Sequence, residues 1–121
     1  MENKVYDLEE RTRLFAWNVR QFIKKLPRTI GNTEDAKQLV RSSGSVGANY
    51  IEANESLGKK DFLMRIRISR KEAKESIYCL SLLDVGTDVE VGLERNKIQQ
   101  ESIELMKIFG AILTKSMAQT D

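Results

Sequence analysis

The sequence predicts an all-α fold, an antiparallel up-down-up-down four-helix bundle, and three observations lead to this prediction. Apolar residues recur at steps of three and four through most of the chain, as they do in helices that bury one side. Strand-like alternation of apolar and polar residues is almost absent, and the chain has a single proline, Pro27. Its 121 residues suffice for one domain, and short connections between long helices favour antiparallel neighbours.

The first predicted helix covers residues 7–26, where the apolar stripe advances by alternating steps of four and three. Pro27 ends this helix because the residue before a proline is disfavoured in the helical conformation. The second predicted helix covers residues 33–56. Either Asn32 or Thr33 provides a side chain able to cap its first backbone amides, and two acidic residues follow in the first turn.

The third predicted helix covers residues 59–85 and follows Gly58, and Gly86 is well placed to end it. The fourth covers residues 93–117, which again carry apolar residues at helical spacing. The chain contains no linker, no low-complexity tract and no convincing repeat. The sequence therefore predicts one domain over residues 1–121.

The composition excludes most enzyme classes. The chain has no histidine, so a histidine-dependent hydrolase or a histidine-containing metal site cannot be assembled within it. Its one cysteine, Cys79, permits no intrachain disulfide, and its apolar neighbours favour a packed, inert thiol. No apolar run approaches the roughly 20 residues that span a bilayer, and the acidic N-terminus does not resemble a signal peptide. We therefore expect a cytoplasmic, non-enzymatic protein with no cofactor, no metal and no catalytic residues.

The stretch RSSGSVGANYIEAN, residues 41–54, contains two glycines three positions apart. A phosphate-binding loop would need a lysine after the glycines and a strand before them, and the sequence has neither. Glycine inside a helix costs up to about 1 kcal/mol relative to alanine, so Gly44 and Gly47 indicate the close approach of another helix. We therefore predict that Gly47→Leu overpacks the core.

Three polar residues follow at helical spacing: Asn49, Glu52 and Glu55 lie three positions apart and share one side of the second helix. We interpret them as a structural polar contact with a basic residue of the third helix, either Arg65 or Arg70. The alternative is a functional polar site, which is less well supported because neither a histidine nor a metal-binding cluster accompanies it.

The same region resembles the bacterial four-helix bundle proteins of the 23S rRNA intervening-sequence (S23) family. The resemblance covers most of the chain and is most specific across residues 42–76. In that family a serine and a short motif of small residue-Asn-Ile-Ala-Glu-Gly precede a Lys-Glu-Phe-like start of the next helix. This chain has Gly47 at the usual proline position and Ala53 where glycine is common. The residues that carry the resemblance are Ser45-Val46-Gly47-Ala48-Asn49-Tyr50-Ile51-Glu52-Ala53, then Lys60-Asp61-Phe62, and the run from Arg67 to Ser76.

The resemblance implies a small antiparallel four-helix bundle. Many members of the family are encoded within intervening sequences of rRNA genes, and most have no assigned activity. A related branch, the accessory proteins of diversity-generating retroelements, assembles as a pentameric barrel that engages a reverse transcriptase and nucleic acid. The resemblance thus implies a homo-oligomer, with five subunits as the leading expectation, and RNA or DNA together with a nucleic-acid enzyme as partners.

Apolar residues also lie outside the core stripes. At about 100° per residue, Trp17 points away from the apolar stripe of the first helix. On the third helix Met64, Ile68 and Leu82 form a second apolar line. Exposed apolar patches commonly mark association surfaces, so we expect these four residues to form an oligomer interface. The alternative is that they are the single exposed hydrophobic residues common on protein surfaces.

The third helix begins with dense positive charge, since residues 59–75 contain seven basic and three acidic residues. Such clustering is typical of a nucleic-acid-binding face. The alternative is a solvated face with pairs such as Lys71–Glu75. No aromatic residue other than Phe62 lies among the basic residues, which predicts binding through phosphates without strong sequence preference. The candidate nucleic-acid-binding residues are Lys59, Lys60, Arg65, Arg67, Arg70, Lys71 and Lys74.

We therefore predict a non-enzymatic oligomeric scaffold that binds nucleic acid or a ribonucleoprotein, with no role for a membrane or a small-molecule substrate. The second hypothesis is a protein-interaction adaptor that binds no nucleic acid. A hydrolytic site at Ser45, Asn49 and Glu52 is a distant third, because the sequence offers no activated nucleophile.

Overall fold

The computed structural model describes residues 7–119 and contains four helices and no strand in that part of the chain. They are α1 (Leu8–Ile23), α2 (Ile30–Asn54), α3 (Lys59–Leu82) and α4 (Val89–Ala118). Connections of four to six residues join them in antiparallel order. Helices α1 and α3 each pack against α2 and α4 and therefore lie diagonally across the bundle. The all-α four-helix bundle prediction is confirmed; the N-terminal segment on which the signal-peptide argument depended lies outside the described residues.

The first two helices differ from the predicted bounds because α2 is capped by Thr29 and not by Asn32 or Thr33. Thr29 is the N-cap of α2, and its side-chain oxygen accepts a hydrogen bond from the backbone amide of Asn32 at 3.0 Å. Helix α2 therefore begins at Ile30 rather than near residue 33, and α1 already ends at Ile23. The last residues before Pro27 form a turn instead of a further helical segment.

The second pair of helices shows the same effect. Asp88 caps α4 by accepting a hydrogen bond from the amide of Glu90 at 2.9 Å, so α4 begins four residues before the predicted position 93. Helix α3 ends at Leu82, and Gly86 lies beyond it in the connection, at a φ of 73°. A positive φ is the conformation that glycine adopts at little cost.

Buried Asn32, expected as a cap, instead joins two connections at one end of the bundle. Its side-chain nitrogen donates to the carbonyls of Pro27 at 2.9 Å and Asp84 at 2.8 Å. Its side-chain oxygen accepts from the amide of Asp84 at 2.9 Å. The α1–α2 and α3–α4 connections are thereby tied together by one side chain.

The core lies between all four helices and is largely aromatic and aliphatic. One tilted aromatic pair, Tyr50 and Phe109, has ring centroids 5.7 Å apart. The largest fully buried apolar side chains are Phe15, Phe22, Leu39, Ile66, Leu80, Leu105 and Phe109.

Gly44 and Gly47 of α2 face α1. A Cβ added at Gly47 would lie 2.7 Å from Thr12 Oγ1 and 3.0 Å from Thr12 Cβ, and one added at Gly44 would lie 3.3 Å from the guanidinium of Arg20. The stretch at residues 41–54 is helical throughout, and its glycines leave room for α1. The close-approach interpretation agrees with this geometry.

Small hydroxyl side chains join α2, α3 and α4. The Ser42 and Ser76 hydroxyls lie 2.8 Å apart, and Ser69 donates to the Val46 carbonyl at 2.8 Å. Ser102 of α4 donates to the Ala73 carbonyl of α3, also at 2.8 Å. All buried side-chain polar atoms in residues 7–119 have hydrogen-bond partners. Short side chains thus let the helices approach closely without leaving buried polar groups unpaired.

Candidate nucleic-acid interface

Four of the seven predicted nucleic-acid-binding residues share the outward side of α3. Lys60, Arg67, Lys71 and Lys74 follow one another at steps of seven, four and three, and all four are exposed. At about 100° per residue, these steps place them opposite the buried stripe that includes Ile66 and Ala73. We call these four residues the basic line.

The other three predicted residues point toward neighbouring helices, and Arg67 of the basic line also reaches α4, where its guanidinium donates to the Met117 sulfur at 3.7 Å. Lys59 donates to the Gln119 carbonyl at 2.6 Å, where it neutralises the end of α4. Arg65 donates to Asn49 of α2 at 3.0 Å. The Nε of Arg70 lies 3.7 Å from the position of a Cβ at Gly110 of α4, so this side chain lies along α4.

Two of the three acidic residues of α3, Glu72 and Glu75, are bound by α2, whereas Asp61 is exposed and forms no salt bridge within residues 7–119. Arg41 binds Glu72 at 3.1 Å and Glu75 at 2.6 Å, and the Glu75 carboxylate, with Glu72 adding to it, raises the pKa of the Arg41 guanidinium above its ordinary value. The Lys71–Glu75 pair that would have neutralised the face does not form. Within residues 7–119, no salt bridge involves any residue of the basic line. Among the side chains of residues 7–119, no carboxylate therefore neutralises the basic line through an ion pair.

The polar contact on α2 is formed by Asn49 and not by the two carboxylates. Asn49 accepts from Arg65, and its Nδ2 donates to the carbonyl and the hydroxyl of Ser45, each at 2.9 Å. The expected contact of Glu52 with Arg65 or Arg70 is wrong, because Glu52 is exposed and both arginines turn elsewhere. Glu55 is also exposed and occupies the C-cap of α2.

One aromatic side chain extends the basic line. Tyr78 lies four residues after Lys74, on the same side of α3, and is 65% exposed. Tyr78 lies beyond residues 59–75 and is therefore not among the residues predicted for this face. A helical projection extended by one turn would have found it.

The four predicted interface residues divide into two patches. Met64 and Leu82 are 45% and 49% exposed, Ile68 is half-buried, and all three lie beside the basic line on the side of α2. Trp17, 53% exposed, lies on the outward side of α1, with Leu14 at its flank. Because α1 and α3 are diagonal, the two patches face opposite sides of the bundle.

The groove between α1 and α4 is less suited than the basic line to bind an anionic ligand. This groove has Phe15 and Ile98 among its lining residues, and its rim carries Glu94, Glu101 and Glu104. Arg11 already forms a two-point ion pair with Glu101, at 2.7 and 2.9 Å. Arg11 also binds Glu104, and Lys25 binds Glu94 at 2.8 Å, so this groove presents ion pairs and not a line of unpaired cations.

The described residues contain neither a metal-binding cluster nor an accessible reactive thiol. Within residues 7–119, no group of three or more histidine, cysteine or acidic side chains could hold a metal ion. Cys79 is buried, and desolvation raises the pKa of its thiol, which disfavours the reactive thiolate. None of the helices in this range combines the length and the apolar character needed to cross a membrane.

Comparisons with known proteins agree with this fold. Residues 4–111 match the family model described as "23S rRNA-intervening sequence protein". The chain is also similar to a crystal structure from Bacteroides thetaiotaomicron VPI-5482, described as a protein with unknown function from the S23 ribosomal protein family. The two share 28% sequence identity with a TM-score of 0.73, over 87% of this chain and 96% of the other. No curated protein matches. Neither description names a catalytic activity.

Proposed function

This chain belongs to the 23S rRNA-intervening sequence protein family, and we propose that it is an oligomeric, non-enzymatic scaffold that binds nucleic acid through the basic line of α3. The observation that carries the proposal is the basic line itself. It presents four exposed cations on one side of one helix, and in the described part of the chain no carboxylate pairs with them.

Phosphates are the ligands that best suit such a surface. Each cation that neutralises a phosphate releases condensed counterions, and this release is the main source of sequence-independent affinity. Arg41 supports the arrangement from α2, because it holds Glu72 and Glu75 away from the outward face. The proposal assigns no chemistry to Cys79, because burial raises the pKa of its thiol and disfavours the reactive thiolate.

Self-association would bring several copies of a weak binding site together in one particle. The Trp17 patch and the Met64–Ile68–Leu82 line consist of different residues and lie on opposite sides of the bundle. The Trp17 patch of one subunit can therefore contact the Met64–Ile68–Leu82 line of the next. Such head-to-tail contacts close into rings when the rotation between subunits permits. We propose a ring, and the family resemblance makes five subunits the leading expectation. The basic line lies beside the apolar line, so the ring would carry a belt of cations whose contacts add through avidity.

Fluorescence anisotropy with a labelled mixed-sequence RNA tests the binding site. The test variant replaces Lys60, Arg67, Lys71 and Lys74 with glutamine. At 0.1 M salt each lost phosphate contact on a single strand costs about five-fold, so four contacts amount to several hundred-fold. The matched control changes the net charge equally away from α3, replacing Lys24 and Arg28 of the α1–α2 connection and Lys97 and Lys115 of α4.

The control loses the same net charge as the test variant and therefore the same long-range attraction to RNA. Apart from that effect, the proposal requires the control to bind with an affinity within about three-fold of wild type. The control must also bind far more tightly than the test variant. Equal losses in both variants would mean that only net charge matters. No binding by the wild-type oligomer, even at low salt, would favour the protein-adaptor function.

Light scattering tests the assembly independently of binding. Replacing Ile68 and Leu82 with lysine, or Trp17 with lysine, should give a folded protein of smaller mass. A wild-type mass near 13.9 kDa at high micromolar concentration would contradict the ring.

A further inference from the structure

Tyr78 presents an aromatic ring to solvent at the end of the basic line. Its side chain is 65% exposed, and in residues 7–119 its hydroxyl makes no hydrogen bond and its ring belongs to no aromatic pair. The Ser81 hydroxyl donates a hydrogen bond to the main-chain carbonyl of Tyr78 and does not involve its ring. The ring is therefore free to contact a ligand.

The spacing relates this ring to the cations. Tyr78 lies one helical turn beyond Lys74, about 6 Å along the axis, and about 27 Å from Lys60 at the other end of the basic line. A strand whose phosphates lie on Lys71 and Lys74 would bring a neighbouring base within reach of Tyr78. Phosphate contacts and an aromatic stacking platform together are the combination found in proteins that bind single strands.

A duplex could use only part of this surface. Its phosphates can contact the basic line, but the faces of its bases are stacked inside the helix and are not available to a tyrosine. An unpaired strand exposes both its phosphates and its base faces.

We propose that the basic line binds single-stranded nucleic acid in preference to duplex, with Tyr78 stacking on an unpaired base. This inference rests on the proposed function, since it concerns the same face of α3. RNA and DNA share the chemistry that the site requires, and the experiment compares them.

The experiment measures anisotropy with four labelled 20-residue probes at one salt concentration. They are a mixed-sequence single-stranded RNA, the corresponding single-stranded DNA, the same DNA as a duplex, and an abasic DNA strand that keeps the phosphates but lacks the bases. The proteins are wild type, Tyr78→Ala, Tyr78→Phe and Leu93→Ala, the last a control that removes a comparably exposed apolar side chain from α4. Light scattering records the mass of each variant.

Tyr78→Ala should weaken binding to the two base-containing single strands by about five-fold to a hundred-fold, the range of stacking on one base. Its affinity for the abasic strand and the duplex should stay at the wild-type value. Tyr78→Phe keeps the ring and should bind like wild type, as should Leu93→Ala. Wild type should bind the single strands more tightly than the duplex.

Equal affinity for single strand and duplex, with no effect of Tyr78→Ala, would overturn this inference and leave the proposed function standing. An equal loss on the abasic strand would also overturn it, because stacking needs a base. A smaller mass for Tyr78→Ala would assign the ring to contact with a second copy of the chain and overturn it likewise. No binding of any probe by wild type would overturn both proposals.

Discussion

Replacing Gly47 with alanine tests how closely α1 and α2 approach. The new Cβ would lie 2.7 Å from Thr12 Oγ1 and 3.0 Å from Thr12 Cβ, so α1 must shift or Thr12 must change position. Overpacking of this kind costs about 1–3 kcal/mol. Alanine regains up to about 1 kcal/mol of helix propensity relative to glycine. The net loss should therefore be about 0–2 kcal/mol, and Gly47→Leu should exceed it.

Gly110 provides a matched control inside α4. A Cβ at Gly110 would meet its nearest atom, the Nε of Arg70, at 3.7 Å, which is an ordinary contact. Gly110→Ala should therefore gain the helix-propensity term without a clash. The helix-propensity gain is nearly the same in both alanine variants and cancels when they are compared. Their effects on the free energy of unfolding should therefore differ by about 1–3 kcal/mol, which is the cost of the clash at Gly47.

Urea unfolding followed by circular dichroism measures that difference. Combining Gly47→Ala with Thr12→Ala removes the atom at 2.7 Å, so the pair should be less destabilising than the sum of the single changes. Equal stabilities for Gly47→Ala and Gly110→Ala, with no coupling to Thr12, would refute the close packing of α1 on α2.

Three further predictions concern the polar groups. Asn32→Ala leaves the Asp84 amide and the carbonyls of Pro27 and Asp84 without their hydrogen-bond partner. It should lower the free energy of unfolding in urea by about 1–3 kcal/mol, and a loss below about 0.5 kcal/mol would contradict the role of this side chain. Glu72→Ala should cost up to about 1 kcal/mol in urea unfolding, because Arg41 is half exposed and keeps Glu75. Glu52→Ala should cost less than Glu72→Ala, because Glu52 is exposed and makes no salt bridge in residues 7–119. The reverse order would contradict the assigned contacts. The Cys79 thiol should react slowly with a thiol reagent in the folded protein at neutral pH and rapidly in urea, and fast reaction in the native state would show that it is accessible.

The fold was predictable because the apolar residues that recur at helical spacing are the ones buried in the core. The stripe through Phe15, Val19 and Phe22 is buried as its spacing indicates. The helix ends were less predictable because single capping side chains decide them. Thr29 and Asp88 each start a helix several residues before the apolar pattern becomes evident.

The candidate site could be predicted in part. The cluster of charge on α3 is visible in the sequence, and helical projection separates the outward basic line from Lys59, Arg65 and Arg70. The sequence alone does not show that Arg41 takes up Glu72 and Glu75, because this contact joins residues more than thirty positions apart on two helices. For the same reason it does not show that Arg65 selects Asn49 over Glu52.

The salt dependence of RNA binding tests the central claim most directly. If the four cations of the basic line neutralise phosphates, the logarithm of the association constant per subunit should fall with the logarithm of salt concentration with a slope of about −3 on a single strand. Replacing Lys60, Arg67, Lys71 and Lys74 with glutamine should bring the slope close to zero, whereas the control variant, with four cations neutralised outside α3, should keep it. An unchanged slope after the basic line is neutralised would contradict the account.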